Sequence, residues 1–216
     1  MKTEINREIN FWNSFSGRYD NFIRYTLGNT YQLLFKKLKE DVTGTENILE
    51  IATGTGLLSF EICRVVNHID AIDIAPEMIR IAQKKQAEMH ALNIDFGVGD
   101  TSNLHFRDGS FDKVIASNVL HLLEDPDEAL SEINRVLKPE GKAFLITFCH
   151  GENLRSRLLS RFMELSGFKA RNRWTTKSYA SFIKANGFEI LTMEIMPGKI
   201  PLVYIIACKT TIRQPS

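Results

Sequence analysis

The sequence predicts an α/β protein, a doubly wound and mostly parallel sheet with helices on both faces. Three observations carry this. Short apolar runs alternate with helical patterns along the chain, as strands and crossover helices do. The first run, Ile48-Leu49-Glu50-Ile51, stops at a tight turn holding Gly54 and Gly56, and the second ends on Asp73. A length of 216 residues suits one domain with a sizeable core. With no repeat or low-complexity linker, 1–216 reads as a single domain. It divides into a helical arm over 1–40, a core over 45–148, an insertion over 150–177 and a closing helix and strands over 178–216.

The elements follow in order. The arm holds Phe11, Trp12, Phe15, Tyr19, Phe22, Tyr25, Tyr31 and Phe35, mostly at helical spacing. Such aromatics either pack onto the sheet or form a lid over whatever binds there. Strands are expected at 47–52, 69–74, 94–98, 112–117 and 142–148. Leu57 to Val66 is amphipathic and reads as a helix. Another helix opens on Pro76 and Glu77, which suit a first turn by fixed φ and negative charge. Phe188 to Met193 and Leu202 to Lys209 read as two strands joined by the Pro197-Gly198 turn.

The chemistry begins at the glycine turn. Glycine lets backbone pass close to a ligand, and a helix start offers free N–H groups. Asp73 lies at about the spacing where an acidic side chain takes ribose hydroxyls, so the pocket fits an adenosine-bearing cofactor. A phosphate loop would continue Gly-Lys-Ser/Thr, whereas Gly56 is followed by Leu57-Leu58-Ser59. Ser59 also stands where a dinucleotide fingerprint has its third small residue, and no Lys or Arg lies in the turn. An adenosine cofactor without phosphate fits better, and S-adenosylmethionine (SAM) is one.

Further motifs follow: Val98-Gly99-Asp100-Thr101, Phe111 to Asn118, Val119 to Pro126, and Arg135-Val136-Leu137-Lys138-Pro139-Glu140-Gly141-Lys142. From about Asn47 to Phe148 this succession resembles the class I SAM-dependent methyltransferases, in particular the small-molecule branch related to the ubiquinone/menaquinone C-methyltransferases. The segment Phe11-Trp12…Gly17-Arg18-Tyr19-Asp20 resembles that branch's N-terminal arm. The chain departs from it at Ala52, where the family has its first loop glycine, and at Lys142. The Phe-Gly-x-Arg-Asn signature of the quinone enzymes is absent at Ala116 to Leu120.

The resemblance implies a Rossmann-like seven-stranded sheet closed by a C-terminal antiparallel strand, and methyl transfer from SAM to a small-molecule acceptor. It places Tyr19, Glu50, Ala52, Thr53, Gly54, Thr55 and Gly56 at the methionyl end and Asp73 on the ribose. Ile74 and Met78 would pack on the adenine, with Gly99, Asp100 and Thr101 along its edge. Ser117 and Asn118 would lie where the methyl group points. His121 and His150 follow strands and titrate in the useful range, so they are candidate general bases for an acceptor that must lose a proton. Asn118 is followed by Val-Leu rather than Pro-Pro-aromatic, so the motif of enzymes that methylate amino groups of nucleic acids and proteins is absent.

Composition bounds the partners. A net charge of +1 gives no general attraction to nucleic acid. Cys63, Cys149 and Cys208 form no Cys-x-x-Cys pair, so no metal is expected and the cysteines read as reduced cytoplasmic thiols. No apolar run is long enough to span a bilayer. Segment 150–177 carries Arg155, Arg157, Arg161, Lys169, Arg171, Arg173 and Lys177 against Glu152 and Glu164. It is either a solvated face or a surface for an amphipathic or anionic acceptor, including peripheral contact with an anionic membrane. Two other functions stay open on the residues alone: an NAD(P)-dependent oxidoreductase and a non-catalytic SAM-binding module.

Overall fold

A computed structural model describes residues 2–42, 44, 46–154, 156–158, 161 and 170–210. Helix α1 (Lys2–Asp41) precedes β1 (Asn47–Ile51), α2 (Leu57–Ile62), β2 (His68–Asp73), α3 (Pro76–Met89) and β3 (Ile94–Val98). Then come β4 (Phe111–Ser117), α4 (Pro126–Val136), β5 (Leu137–Phe148), α5 (Thr176–Ala185), β6 (Phe188–Met196) and β7 (Leu202–Lys209). The sheet has seven strands in the order β3-β2-β1-β4-β5-β7-β6. The β1–β2, β2–β3, β1–β4 and β4–β5 pairs are parallel, and β7 runs antiparallel to both of its neighbours. This is the Rossmann-like arrangement with one antiparallel C-terminal strand.

Alternation along the strands sorts their side chains into two cores. Ile48, Ile69, Ala71, Ile115, Phe144, Ile146 and Tyr204 face one side, where α1 brings Tyr31, Leu34 and Leu38 and the residue after it, Val42, joins them. Leu49, Ile51, Val114, Ala116, Leu145, Val203 and Ile205 face the other, under α4 and α5. Strands buried on both faces must read as continuous apolar runs, which is why they stand out in the sequence.

Three boundaries differ from expectation. The helix opening at Leu57 stops at Ile62 and continues as a 3₁₀ turn over Cys63–Val65. Strand β5 begins at Leu137 rather than 142, because Leu137 pairs with Phe111 before a register shift to Lys113 and Lys142. Strand β6 extends to Met196 through a comparable shift after Ile190. Residues 2–41 form one helix. An aromatic ladder stiffens its N-terminal half, with Phe15 stacked on Phe11 and edge-on to Tyr19 and Phe22.

Two turns fix the sheet's upper edge. Asp125 caps α4 by accepting from the N–H groups of Asp127 and Glu128, and Pro126 follows at the first helical position. Asp20, halfway along α1, accepts from the Thr55 hydroxyl and pairs with Lys85, which also donates to the Thr55 carbonyl. The long helix is thereby tied to the glycine turn.

Candidate functional site

Strand order reverses between β1 and β4, because β2 and β3 build outward on one side and β5 on the other. In open α/β sheets the crevice beyond the strands' carboxyl ends at such a point is where ligands bind. A cavity of about 640 Å³ lies there. Its wall takes Ala52 and Gly54 after β1, Asp73, Ile74 and Met78 around the end of β2, Asp100 to Asn103 after β3, and Ser117 to Val119 after β4. Leu122 to Asp125 and Glu128 continue the wall, and α1 covers it with Ile5, Glu8, Trp12 and Tyr19.

The turn after β1 needs three left-handed residues, Ala52 (φ 53°), Gly54 (φ 58°) and Gly56 (φ 81°). Gly54 presents bare backbone to the cavity, and a Cβ there would come within 3.5 Å of the Tyr19 ring. At Gly56 a Cβ would meet Phe60 and Phe96 at 2.8 Å, so no side chain fits. Ala52 carries a Cβ in a conformation that costs an L-residue roughly 1 kcal/mol.

Asp73 is the hub of the loop. One carboxylate oxygen accepts from the Gly54 N–H at 2.8 Å and the other from the Ala75 N–H at 2.9 Å. Burial raises its pKa, and those two N–H groups oppose the rise. Each oxygen keeps a lone pair, so the carboxylate can still accept from a diol. Asp100 accepts from the Ser102 N–H at 2.9 Å, which turns the chain after β3 back along the cavity.

Ten expected residues line this cavity: Tyr19, Ala52, Gly54, Asp73, Ile74, Met78, Asp100, Thr101, Ser117 and Asn118. Glu50, Thr53, Thr55 and Gly56 do not; they form the layer beneath. Glu50 is almost fully buried and accepts from Ser59, whose hydroxyl lies 3.4 Å from that of Thr53. Burial pushes the Glu50 carboxyl up to about 7 against the pull of these hydroxyls. Ser59, the residue that breaks a dinucleotide fingerprint, is thus the partner of a buried carboxyl. Gly99 lines a smaller neighbouring groove with Ile72, where its missing Cβ leaves room for that side chain.

His121 and His150 are displaced from their expected place, since neither lines the cavity. After the left-handed Asn118, a turn closed by the Leu122 N–H on the Val119 carbonyl swings Leu120 and His121 inward. His121 Nδ1 lies 2.9 Å from the Thr147 hydroxyl, and its ring sits 5.1 Å from that of His150. Both rings are about 1% exposed. Burial, then the neighbouring imidazole, holds His121 well below the ordinary histidine range. A neutral, enclosed imidazole off the cavity is no general base for anything bound there.

The sequence alone did not single out the apolar and acidic far wall. It adds the acids Glu8, Glu124, Asp125 and Glu128 to the expected Asp73 and Asp100, and among the described residues no Lys, Arg or His lines the cavity. Arg171 instead pairs with Glu8 at 3.1 Å, bridging the N-terminal part of α1 to the chain before α5. Arg157 donates to the Gly151 carbonyl. Arg155 and Lys169 lie outside the described residues, as do Phe162, Met163, Glu164, Leu165 and Phe168. Among the described residues a pyrophosphate has no cation to meet here, while a cationic, phosphate-free adenosine cofactor meets carboxylates and a bare glycine backbone. The residues present therefore fit SAM. They do not fit NAD(P).

Residues 49–145 match a family described as a methyltransferase domain. A demethylmenaquinone methyltransferase of Chlorobaculum parvum is 36% identical over 114 residues, 51% of this chain and 45% of that protein. A ubiquinone biosynthesis O-methyltransferase of Xanthomonas oryzae pv. oryzae is 32% identical over 120 residues, 55% of this chain and 49% of its own. The matched part therefore spans about half the length of these relatives. Among solved structures, the [4+2]-cyclase SpnF superposes with a TM-score of 0.70 over 82% of this chain and 79% of that one, at 21% identity. That likeness concerns the fold alone, and its name warns that this fold serves other chemistry than methyl transfer.

Proposed function

We propose that this chain, whose residues 49–145 match a methyltransferase domain and which is similar in part to quinone methyltransferases, transfers a methyl group from SAM to a small-molecule acceptor. The observation that carries the reading is the cavity wall at the strand-order reversal. It combines bare backbone at Gly54, an Asp73 carboxylate with lone pairs to spare, and no cationic side chain among the described lining residues.

Asp73 would accept from the ribose hydroxyls, Ile74 and Met78 would sandwich the adenine, and Asp100 would accept from its amino group beside Thr101. Tyr19, Ala52 and Gly54 would hold the methionyl end, with Glu50, Thr53, Thr55 and Gly56 fixing the loop from below and Gly99 the adenine side. Bound there, SAM supplies an electrophilic methyl group. Helix α1 covers the site and excludes water, and Ser117 and Asn118 meet the cofactor at its reacting end. Positioning of this kind accelerates a displacement without any acid or base.

Ile5, Trp12, Val119, Leu122 and Leu123 in the wall support an amphipathic acceptor. The same wall carries carboxylates, so an anionic acceptor would have to keep its charge outside the cavity. Leu154 and Leu158 are exposed beside Arg157 and Arg161, which supports peripheral contact with an anionic membrane. No described helix is long and apolar enough to cross one.

Calorimetry with SAM, S-adenosylhomocysteine and NADP tests the cofactor. Micromolar SAM binding without NADP binding is expected, and the reverse order would overturn the reading. Radiolabelled methyl transfer to a panel of hydroxylated and aminated amphiphiles tests the reaction. Tight SAM binding with no transfer to any of them would favour a non-catalytic binder.

A further inference from the structure

Asn118 carries two costs. Its backbone is left-handed, at φ 57°, immediately after the last residue of β4. Its side-chain amide is also incompletely satisfied. Nδ2 donates to the Tyr31 hydroxyl at 3.1 Å and reaches the Ser117 hydroxyl at 3.3 Å, while Oδ1 is buried with no partner. Turning the amide over would exchange the two atoms, leaving the nitrogen as the orphan. In either orientation one heteroatom meets Tyr31 and the other lacks a protein partner.

Asparagine tolerates the left-handed region better than most residues, yet strain and an unmet buried group together are uncommon away from functional sites. The backbone is held from one side by the Asn118 N–H, which donates to the Ile146 carbonyl at 2.8 Å. The side chain is held from the other side by Tyr31. That phenol is 5% exposed, sits among the α1 residues of the core, and lies outside the cavity. It also abuts the Tyr19 hydroxyl, which does line the cavity, and after burial this neighbour is what most discourages Tyr19 from ionising. One hydroxyl on α1 therefore contacts two wall residues from separate elements.

We propose that Tyr31 is a positioning residue: through its hydrogen bond to Asn118 it sets the orientation of that amide at the reacting end of the cavity. The inference rests on the proposed function, because it assumes that Asn118 meets the cofactor. It also gives the long N-terminal helix a role beyond covering. The register of α1 on the sheet decides whether Tyr31 reaches Asn118, so arm docking and site geometry are one equilibrium.

The test is a double-mutant cycle on S-adenosylhomocysteine affinity, using Tyr31→Phe, Asn118→Gly and the pair. Tyr31→Phe keeps the ring and its packing, and Asn118→Gly keeps the left-handed backbone without strain. Each single variant should bind about fivefold more weakly, the effect of one hydrogen bond. The pair should be no weaker than the worse single variant. Melting temperature serves as the control: a merely structural Tyr31 would lower it without changing the affinity of folded protein. Parent-like affinity in Tyr31→Phe, or losses that multiply in the pair, would overturn the proposal. If the parent itself binds no S-adenosylhomocysteine, the proposed function falls and this inference with it.

Discussion

Two buried polar clusters flank the cavity, and they answer burial in opposite ways. On the α1 face, Glu50 and Asp73 lie at the ends of β1 and β2, and they find hydroxyl or backbone N–H donors in α2 and in the turns after the two strands. On the α4 face, His121 meets the Thr147 hydroxyl and lies beside the ring of His150. Burial raises the carboxyls and lowers His121, so both clusters tend toward the neutral form. Only the carboxyl side reaches the cavity wall, through Asp73. At the end of β2 the acid faces the crevice and accepts from the neighbouring glycine turn, whereas beyond β4 a left-handed asparagine rolls the histidine into the core.

The sharpest way to break this contrast is to remove its hub. Asp73→Ala deletes the acceptor of two backbone N–H groups as well as the proposed ribose contact. SAM affinity should fall by about 100-fold, and stability by roughly 1–3 kcal/mol as the Gly54 and Ala75 N–H groups lose their partner. Calorimetry and chemical denaturation measure the two separately. Unchanged SAM affinity in a folded variant would remove Asp73 from the site.

That hub was legible because its signals are local. An apolar run, a glycine turn and an acid ending the next run need no knowledge of packing, and they located Asp73, Gly54 and Asp100. The direction of a side chain beyond a strand end is not local. His121 is turned inward by the conformation of Asn118 and by Asn172, whose N–H donates to the His121 carbonyl from fifty-one positions away. The covering residues Ile5, Glu8 and Trp12 depend on where a forty-residue helix lies across the sheet. Periodicity gives that helix a face but no docking angle. Tyr31 escaped for the same reason, reading as one aromatic among eight.

The next largest effect separates the clusters by pH. The folded carboxyl of Glu50 titrates near 7, above its ordinary value. Folded protein therefore holds the proton more tightly than unfolded chain, and this group's contribution declines as pH rises from about 4.5 to about 7. His121 works in the reverse sense: its folded pKa is depressed, so stability falls as pH drops below about 6.5. Glu50→Gln removes the first effect alone. Its stability relative to the parent should be near zero at pH 5 and grow to about 2–3 kcal/mol above pH 7. Denaturation at several pH values reads this difference, and a flat difference would mean that Glu50 stays ionised in the fold.

A smaller effect tests the strained turn. Ala52→Gly relieves a left-handed alanine at the cavity wall and should stabilise the protein by about 0.5–1 kcal/mol, net of glycine's greater freedom when unfolded. A loss of stability would show that the methyl group packs well enough to outweigh its backbone cost.

The smallest effect concerns the pair that closes the cavity between Glu8 and Arg171. Glu8 is about one-third exposed and Arg171 one-fifth, so solvent screens much of their attraction. Glu8→Gln should lower stability by about 0.2–1 kcal/mol, a difference that shrinks as salt is added. Local opening is a more sensitive reporter than the melting temperature, because the N-terminal part of α1 can detach while the core stays folded. Amide exchange over residues 5–12 should therefore quicken in Glu8→Gln, with exchange over residues 31–41 unchanged. Added S-adenosylhomocysteine should slow exchange over 5–12 in both proteins, since the same residues cover the cavity it would fill. Equal exchange in parent and variant, with or without ligand, would make this end of α1 a fixed wall and leave the ion pair with no part in closing the site.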